Sequence, residues 1–262
     1  MKELRSKGIR PLRPKRKLRR TIYILPSIFT VGNIFAGFLS LIATLSGEYE
    51  KAAIAIGIAV ILDGLDGRVA RLANVSSDFG VQLDSLADVI SFGIAPALLV
   101  YSWGLVDFGR FARFSAFVFL ICGVMRLARF NIQLGELKHF AGLPIPAAAG
   151  FIAATVHFFP GPPANPLFRP AMVGATYLTA LLMISTIRYP SLKQLDLGKG
   201  KSHLFILALA TLVAGIFFYS RYALLILAYS YLLSGPLARM HQFSKHRFGY
   251  KRRVASRDRP VG

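Results

Sequence analysis

A single cysteine, Cys122, stands among 262 residues, so no intramolecular disulfide can form and a cytoplasm-facing chemistry is unopposed. Acidic residues are scarce too: 12 Asp and Glu face 32 Lys and Arg, for a net charge of +20. Short segments of alternating polarity, the mark of a transmembrane β-barrel, do not occur. No base-stacking module accompanies the positive charge, which argues against nucleic acid as a partner. The basic N-terminus is not followed by a short apolar core and a small-residue cleavage site. It reads as a juxtamembrane arm, not a removable signal peptide. Internal repeats, low-complexity segments and a soluble domain are also missing.

What the chain has instead is oil. It is 54% hydrophobic and 17% charged, and its apolar runs are apolar on nearly every side, unlike amphipathic soluble helices. Crossing a bilayer takes about 20 such residues. The expectation is an all-α, polytopic membrane protein with about eight spans, near residues 22–46, 51–72, 81–104, 112–132, 143–160, 171–188, 203–219 and 221–237. Ten Lys and Arg lie between Lys2 and Arg20, and eight between Arg239 and Arg259. Beside spans, such clusters are topology signals and contacts for anionic membrane lipids. Placing both termini in the cytoplasm puts 27 of the 32 basic residues on the inner side. The expected organisation is a basic cytoplasmic arm (1–21), one membrane domain (22–237) and a basic cytoplasmic tail (238–262), in the inner (plasma) membrane of the cell.

Against this background the stretch Ile61–Gly93, "ILDGLDGRVARLANVSSDFGVQLDSLADVISFG", is anomalous. Asp63 and Asp66 are three residues apart and share a helical face, as Asp84 and Asp88, four apart, do on the next helix. A short turn between them makes the two helices antiparallel neighbours, so the four carboxylates converge. At membrane depth they would repel one another and be costly to desolvate. Oxygen-only ligands suit hard divalent ions such as Mg²⁺ or Mn²⁺, and two such ions would form a clamp for phosphate or pyrophosphate. Gly64, Gly67 and Gly80 leave room for a bulky phosphorylated group, and Arg71 is a natural phosphate partner. Buried acids also line ion pathways, so a divalent-cation transporter is the alternative of another class.

Written as a pattern, Asp63–Asp88 is DxxDGxxAR, eight residues, then GxxxDxxxD. This resembles the signature of the CDP-alcohol phosphatidyltransferases, a family of integral membrane enzymes. The match holds at Asp63, Asp66, Gly67, Ala70, Arg71, Gly80, Asp84 and Asp88. "CGVMRLARFN" (122–131), "FAGLPIPAAAG" (140–150) and "LPSIFTVGNIFAG" (25–37) look like the phosphatidylserine synthase branch. That branch often has Asn where Ser27 stands.

The resemblance implies transfer of a phosphatidyl group from CDP-diacylglycerol to L-serine, with release of CMP. It implies that Asp63 and Asp84 bridge two Mg²⁺ or Mn²⁺ ions, that Asp66 completes one metal site and Asp88 the other, and that Asp88 takes the proton of the acceptor hydroxyl. Gly67, Arg71 and Ser77 would contact the CDP-lipid. A sister enzyme using glycerol phosphate or an inositol phosphate is the nearest alternative, and a homodimer is expected because family members often form one. For an amino-acid acceptor, Arg126 and Arg129 are candidates to hold the carboxylate or a lipid phosphate through paired hydrogen bonds, with Asn131 beside them. Thr30 and Asn33 are candidates both for lining the pocket and for joining helices. Gln82 should point away from the acids. His157 reads as a packed span histidine with no carboxylate near it.

Overall fold

The computed structural model describes residues 16–73, 78–133, 142–162, 165, 167–187, 189, 215 and 218–257, and no strand occurs among them. Helices α1 (Arg16–Leu45) and α2 (Tyr49–Ala73) form a hairpin. The turn closes at Gly47, whose φ of 74° lies in the left-handed region that favours glycine. A third rod follows: α3 (Asp78–Asp88), a π-helical stretch Val89–Ile94, α4 (Ala95–Val100), a second π stretch Tyr101–Leu105 and a 3₁₀ turn Val106–Phe108. Next come α5 (Arg110–Gln133), α6 (Ile145–Phe158), α7 (Phe168–Ile184) and α8 (Ser220–Arg257).

Seven rods are therefore present among the described residues, where eight spans were expected. Most of the expected span 203–219 lies outside those residues. Among the described residues four helices are long and apolar enough to cross a bilayer: Ile28–Leu45, Phe79–Phe108, Arg110–Ile132 and Ser220–Met240. α6 and α7 are apolar but shorter, and α2 is long but interrupted by Asp63, Asp66 and Arg68. The last helix runs far past the expected end near residue 237. Pro236 removes one backbone donor without ending it.

Large side chains pack the middle of the bundle: Trp103, Phe92, Phe119 and Phe151 are fully buried among Leu99, Leu105, Ile145 and Ile152. The Trp103 indole donates to the carbonyls of Phe159 (2.8 Å) and Gly161 (2.9 Å), which satisfies its one polar atom. Outward faces are as greasy as the interior. Ile28, Phe35 and Phe38 on α1 and Phe111, Phe114 and Phe117 on α5 are exposed, as suits helices whose outer side meets lipid rather than water.

α2 and the third rod are neighbours, as expected, meeting mainly through its first π stretch and α4, and α1 packs along both of them. The approach is closest at Gly37. A Cβ there would overlap the Ser91 hydroxyl and come within 2.8 Å of the Ser91 Cα. The Ser91 hydroxyl donates to the Asn33 carbonyl at 2.9 Å, so the π stretch just after Asp88 is fastened to α1.

Candidate active site

Helix α1 turns a polar stripe inward, with Thr30, Asn33, Ser40 and Thr44 all buried. Two of these residues address the acids. The Thr30 hydroxyl donates to Asp66 Oδ2, and the Asn33 amide lies beside the Asp88 carboxylate. Helical spacing explains the division: Thr30 and Asn33 are one turn apart on one face, so a single helix reaches an acid from α2 and another from α3.

Across the gap between α2 and α3, carboxylate oxygens of Asp63, Asp84 and Asp88 all lie within 4.8 Å of one another. Asp88 is buried, and its Oδ1 accepts no hydrogen bond. Asp63 and Asp84 are partly exposed. Asp66, a turn along α2 from Asp63, is buried, accepts from Thr30 and stays close enough to interact with Asp63 and Asp84. So many clustered carboxylates in so little water are unfavourable unless a cation compensates them. An all-oxygen set with an unsatisfied buried oxygen fits a hard divalent ion. The residues fit the group the sequence pattern implies.

The space beside the acids is open. A Cβ on Gly64 or Gly67 would meet no atom within 4 Å, so these glycines are not demanded by packing within the chain. Arg71 lies in the last described turn of α2, but its side chain falls outside the described residues, and so does Ser77. Their expected contacts to a CDP-lipid have no structural counterpart here.

On the other side of Asp88 stands α5. Arg126 is half-buried and lies near Asp88 and near Tyr231 of α8. Its Nε is buried without a hydrogen-bond partner. Arg129, three residues on along the same helix, is exposed. The Asn131 amide donates to the Ser85 hydroxyl at 2.9 Å, and Ser85 in turn donates to the Val81 carbonyl at 3.1 Å. Asn131 therefore ties α5 to the helix carrying Asp84 and Asp88. Tyr231 was not expected from the sequence. One tyrosine among ten, on a distant helix, carries no local signal that it reaches Arg126. Gln82 is exposed, as expected.

His157 corrects its expectation. It is buried, but its Nδ1 lies 3.7 Å from Glu50 Oε1, and its Nε2 is 3.1 Å from the Ser220 hydroxyl. Glu50 sits at the start of α2, far in sequence from α6, and only the fold reveals it as a neighbour. Arg221 closes the group, donating to Glu50 Oε1 at 2.7 Å.

The sequence profile described as CDP-alcohol phosphatidyltransferase matches residues 23–187. A CDP-diacylglycerol–serine O-phosphatidyltransferase from Helicobacter pylori (strain J99) is 41% identical over 196 residues, covering 72% of this chain and 79% of that protein. An archaetidylserine synthase from Methanothermobacter thermautotrophicus is 39% identical over 170 residues, 63% of this chain and 69% of that protein. A CDP-diacylglycerol–serine O-phosphatidyltransferase from Bacillus subtilis is 35% identical over 170 residues, 65% of this chain and 92% of that protein.

Proposed function

The chain belongs to the CDP-alcohol phosphatidyltransferase family, and from that premise we propose that it transfers a phosphatidyl group from CDP-diacylglycerol to L-serine, giving phosphatidylserine and CMP. The observation that carries the reading is the meeting of Asp63, Asp84 and Asp88 oxygens within 4.8 Å, in a chain whose relatives include named serine O-phosphatidyltransferases.

In this proposal Asp63, Asp66, Asp84 and Asp88 would hold two divalent cations, with Asp63 and Asp84 contributing to both sites. When bound, Mg²⁺ or Mn²⁺ supplies charge neutralisation of the pyrophosphate and of the departing CMP oxygen. Everything else falls to the chain. The Thr30 hydroxyl fixes the Asp66 carboxylate. Gly67 leaves room for the nucleotide, while Arg71 and Ser77 grip the phosphates. Arg126, with Arg129 and Asn131 near it, receives the acceptor's carboxylate. The serine hydroxyl oxygen bonds to the phosphatidyl phosphorus, the bond from that phosphorus to the CMP oxygen breaks, and the hydroxyl proton passes to Asp88.

The same reading has eight spans forming one membrane domain over 22–237, both basic termini in the cytoplasm and the acids at the cytoplasmic face of the inner (plasma) membrane. Nucleotide and serine then arrive from water while acyl chains stay among the helices. A homodimer finds no support in the single chain and is not part of the proposal.

The test is a head-group assay with purified protein in detergent, CDP-diacylglycerol and Mn²⁺. Serine-dependent CMP release, absent from Asp88→Asn, is the expected result. Incorporation of glycerol phosphate or inositol phosphate in place of serine would move the chain to a sister activity. Cation flux in proteoliposomes without CDP-lipid, and no CMP release with any alcohol, would make it a transporter.

A further inference from the structure

Four buried polar atoms around Asp88 have no hydrogen-bond partner: Asn33 Nδ2, Asn33 Oδ1, Asp88 Oδ1 and Arg126 Nε. Three helices contribute them. Asn33 on α1 is completely buried, and its amide lies beside the Asp88 carboxylate without closing a well-formed hydrogen bond. Arg126 on α5 approaches the same carboxylate from another helix. Buried polar groups are nearly always paired, and leaving one unpaired is costly. At the opposite end of the bundle the Trp103 indole finds two carbonyls and the Arg221 guanidinium finds Glu50. His157 Nδ1, 3.7 Å from Glu50, is the one buried polar atom there without a hydrogen-bond partner among the described residues, so the orphans concentrate beside Asp88.

The orphan set has a definite chemistry. It comprises a cationic donor, a carboxylate acceptor, and an amide that offers one donor and one acceptor. A small zwitterion with a hydroxyl suits it: carboxylate to Arg126 and the amide nitrogen, hydroxyl to Asp88, ammonium to the amide oxygen. A glycerol or inositol phosphate could offer that oxygen only a neutral hydroxyl, a weaker donor than an ammonium group. We infer that Asn33 is a specificity-determining residue of the acceptor pocket, its side-chain oxygen receiving the ammonium group of an amino-acid acceptor. The inference rests on the serine-transfer reading above and adds to it the group that reads the amine.

The experiment compares L-serine with 3-hydroxypropionate, which keeps the hydroxyl and carboxylate but lacks the amine, using full-length protein with CDP-diacylglycerol and Mn²⁺. Asn33→Leu keeps the volume and removes both amide atoms. It should raise KM for L-serine by about tenfold or more, the cost of losing one hydrogen bond to a charged group. KM for CDP-diacylglycerol should stay put, and the preference for serine over 3-hydroxypropionate should shrink by a similar factor. Stabilisation of the Mn²⁺-loaded protein by L-serine, read as a Tm shift without CDP-lipid, should be present in the parent and lost in the variant. Asn33→Ser, which retains a shorter polar side chain, should move each quantity the same way by less, and it decides the matter if Asn33→Leu does not fold. A fall in kcat that is equal for both acceptors, with the preference unchanged, would overturn the inference, because Asn33 would then only support Asp88. Absence of serine transfer in the parent protein would instead defeat the functional reading itself.

Discussion

The two ends of the helical bundle treat polar groups in opposite ways. At the end holding Glu50, His157, Arg169 and Arg221, opposite charges are matched. Arg221 and Lys51 each reach a glutamate at 2.7 Å, Arg169 pairs with Asp107, and the Trp103 indole has two carbonyls. At the other end three carboxylates crowd together, and an amide and a guanidinium nitrogen go unsatisfied. The helices and packing are alike, so the contrast is chemical. A structural end minimises unpaired polarity, whereas a site built for substrates leaves its donors and acceptors for them.

The largest effect that tests this contrast is expected at Asp88. Asp88→Asn keeps the shape but removes the charge and the proton-accepting oxygen. We predict a kcat lower by about 10²–10⁴-fold, the usual worth of a general base. Retention of more than a tenth of the parent rate would remove Asp88 from that role. Next comes Thr30→Val, which deletes the hydroxyl that donates to Asp66. Loss of a group that orients a metal ligand typically weakens metal affinity by about 10–100-fold. A Mn²⁺ titration of activity should shift by that amount at constant maximal rate, and an unshifted titration would make Thr30 a purely helix-joining residue.

How much of this was legible beforehand differs between the ends for a physical reason. Asp63, Asp66, Asp84 and Asp88 announce themselves because charge in an apolar run is rare, and helical spacing alone pairs them. Sequence distance hides the rest. Nothing local indicates that Asn33 lies beside Asp88, 55 residues on, or that Tyr231 of the last helix reaches Arg126. Glu50 and His157 looked unrelated for the same reason. Asp66 stays beside Asp63 and Asp84, but side-chain periodicity says only which face it occupies and not that the Thr30 hydroxyl donates to it. The two π turns in the third rod also left no pattern in the sequence. Each adds a residue to a turn, and the hydrophobicity of that rod is too uniform to register the slip.

Two glycines of α1 and α2 sharpen the comparison at intermediate size. Gly37→Ala would push a methyl into Ser91, and overpacking of this kind costs about 1–3 kcal/mol. Its Tm in detergent should fall. Gly67→Ala places the same methyl where no atom of the chain lies within 4 Å. Its Tm should hold or rise slightly, because alanine favours a helix over glycine. KM for CDP-diacylglycerol should nevertheless increase several-fold if that space belongs to the nucleotide, since the methyl takes up room the substrate needs. An unaltered KM would show that the space serves no substrate.

The smallest effect should come from the matched end. Glu50→Gln removes the carboxylate shared by Arg221 and His157, yet both Glu50 and Arg221 are partly exposed. A pair of this kind contributes about 1 kcal/mol or less. Serine transfer should remain within about twofold of the parent, as expected for a substitution far from the reacting groups whose cost is confined to a weak pair. A small drop in Tm is the only other change anticipated, and added salt should reduce it by screening the pair in the parent protein. A loss of turnover comparable to that of Asp88→Asn would erase the division between the two ends, because the matched charges would then belong to the reaction as well.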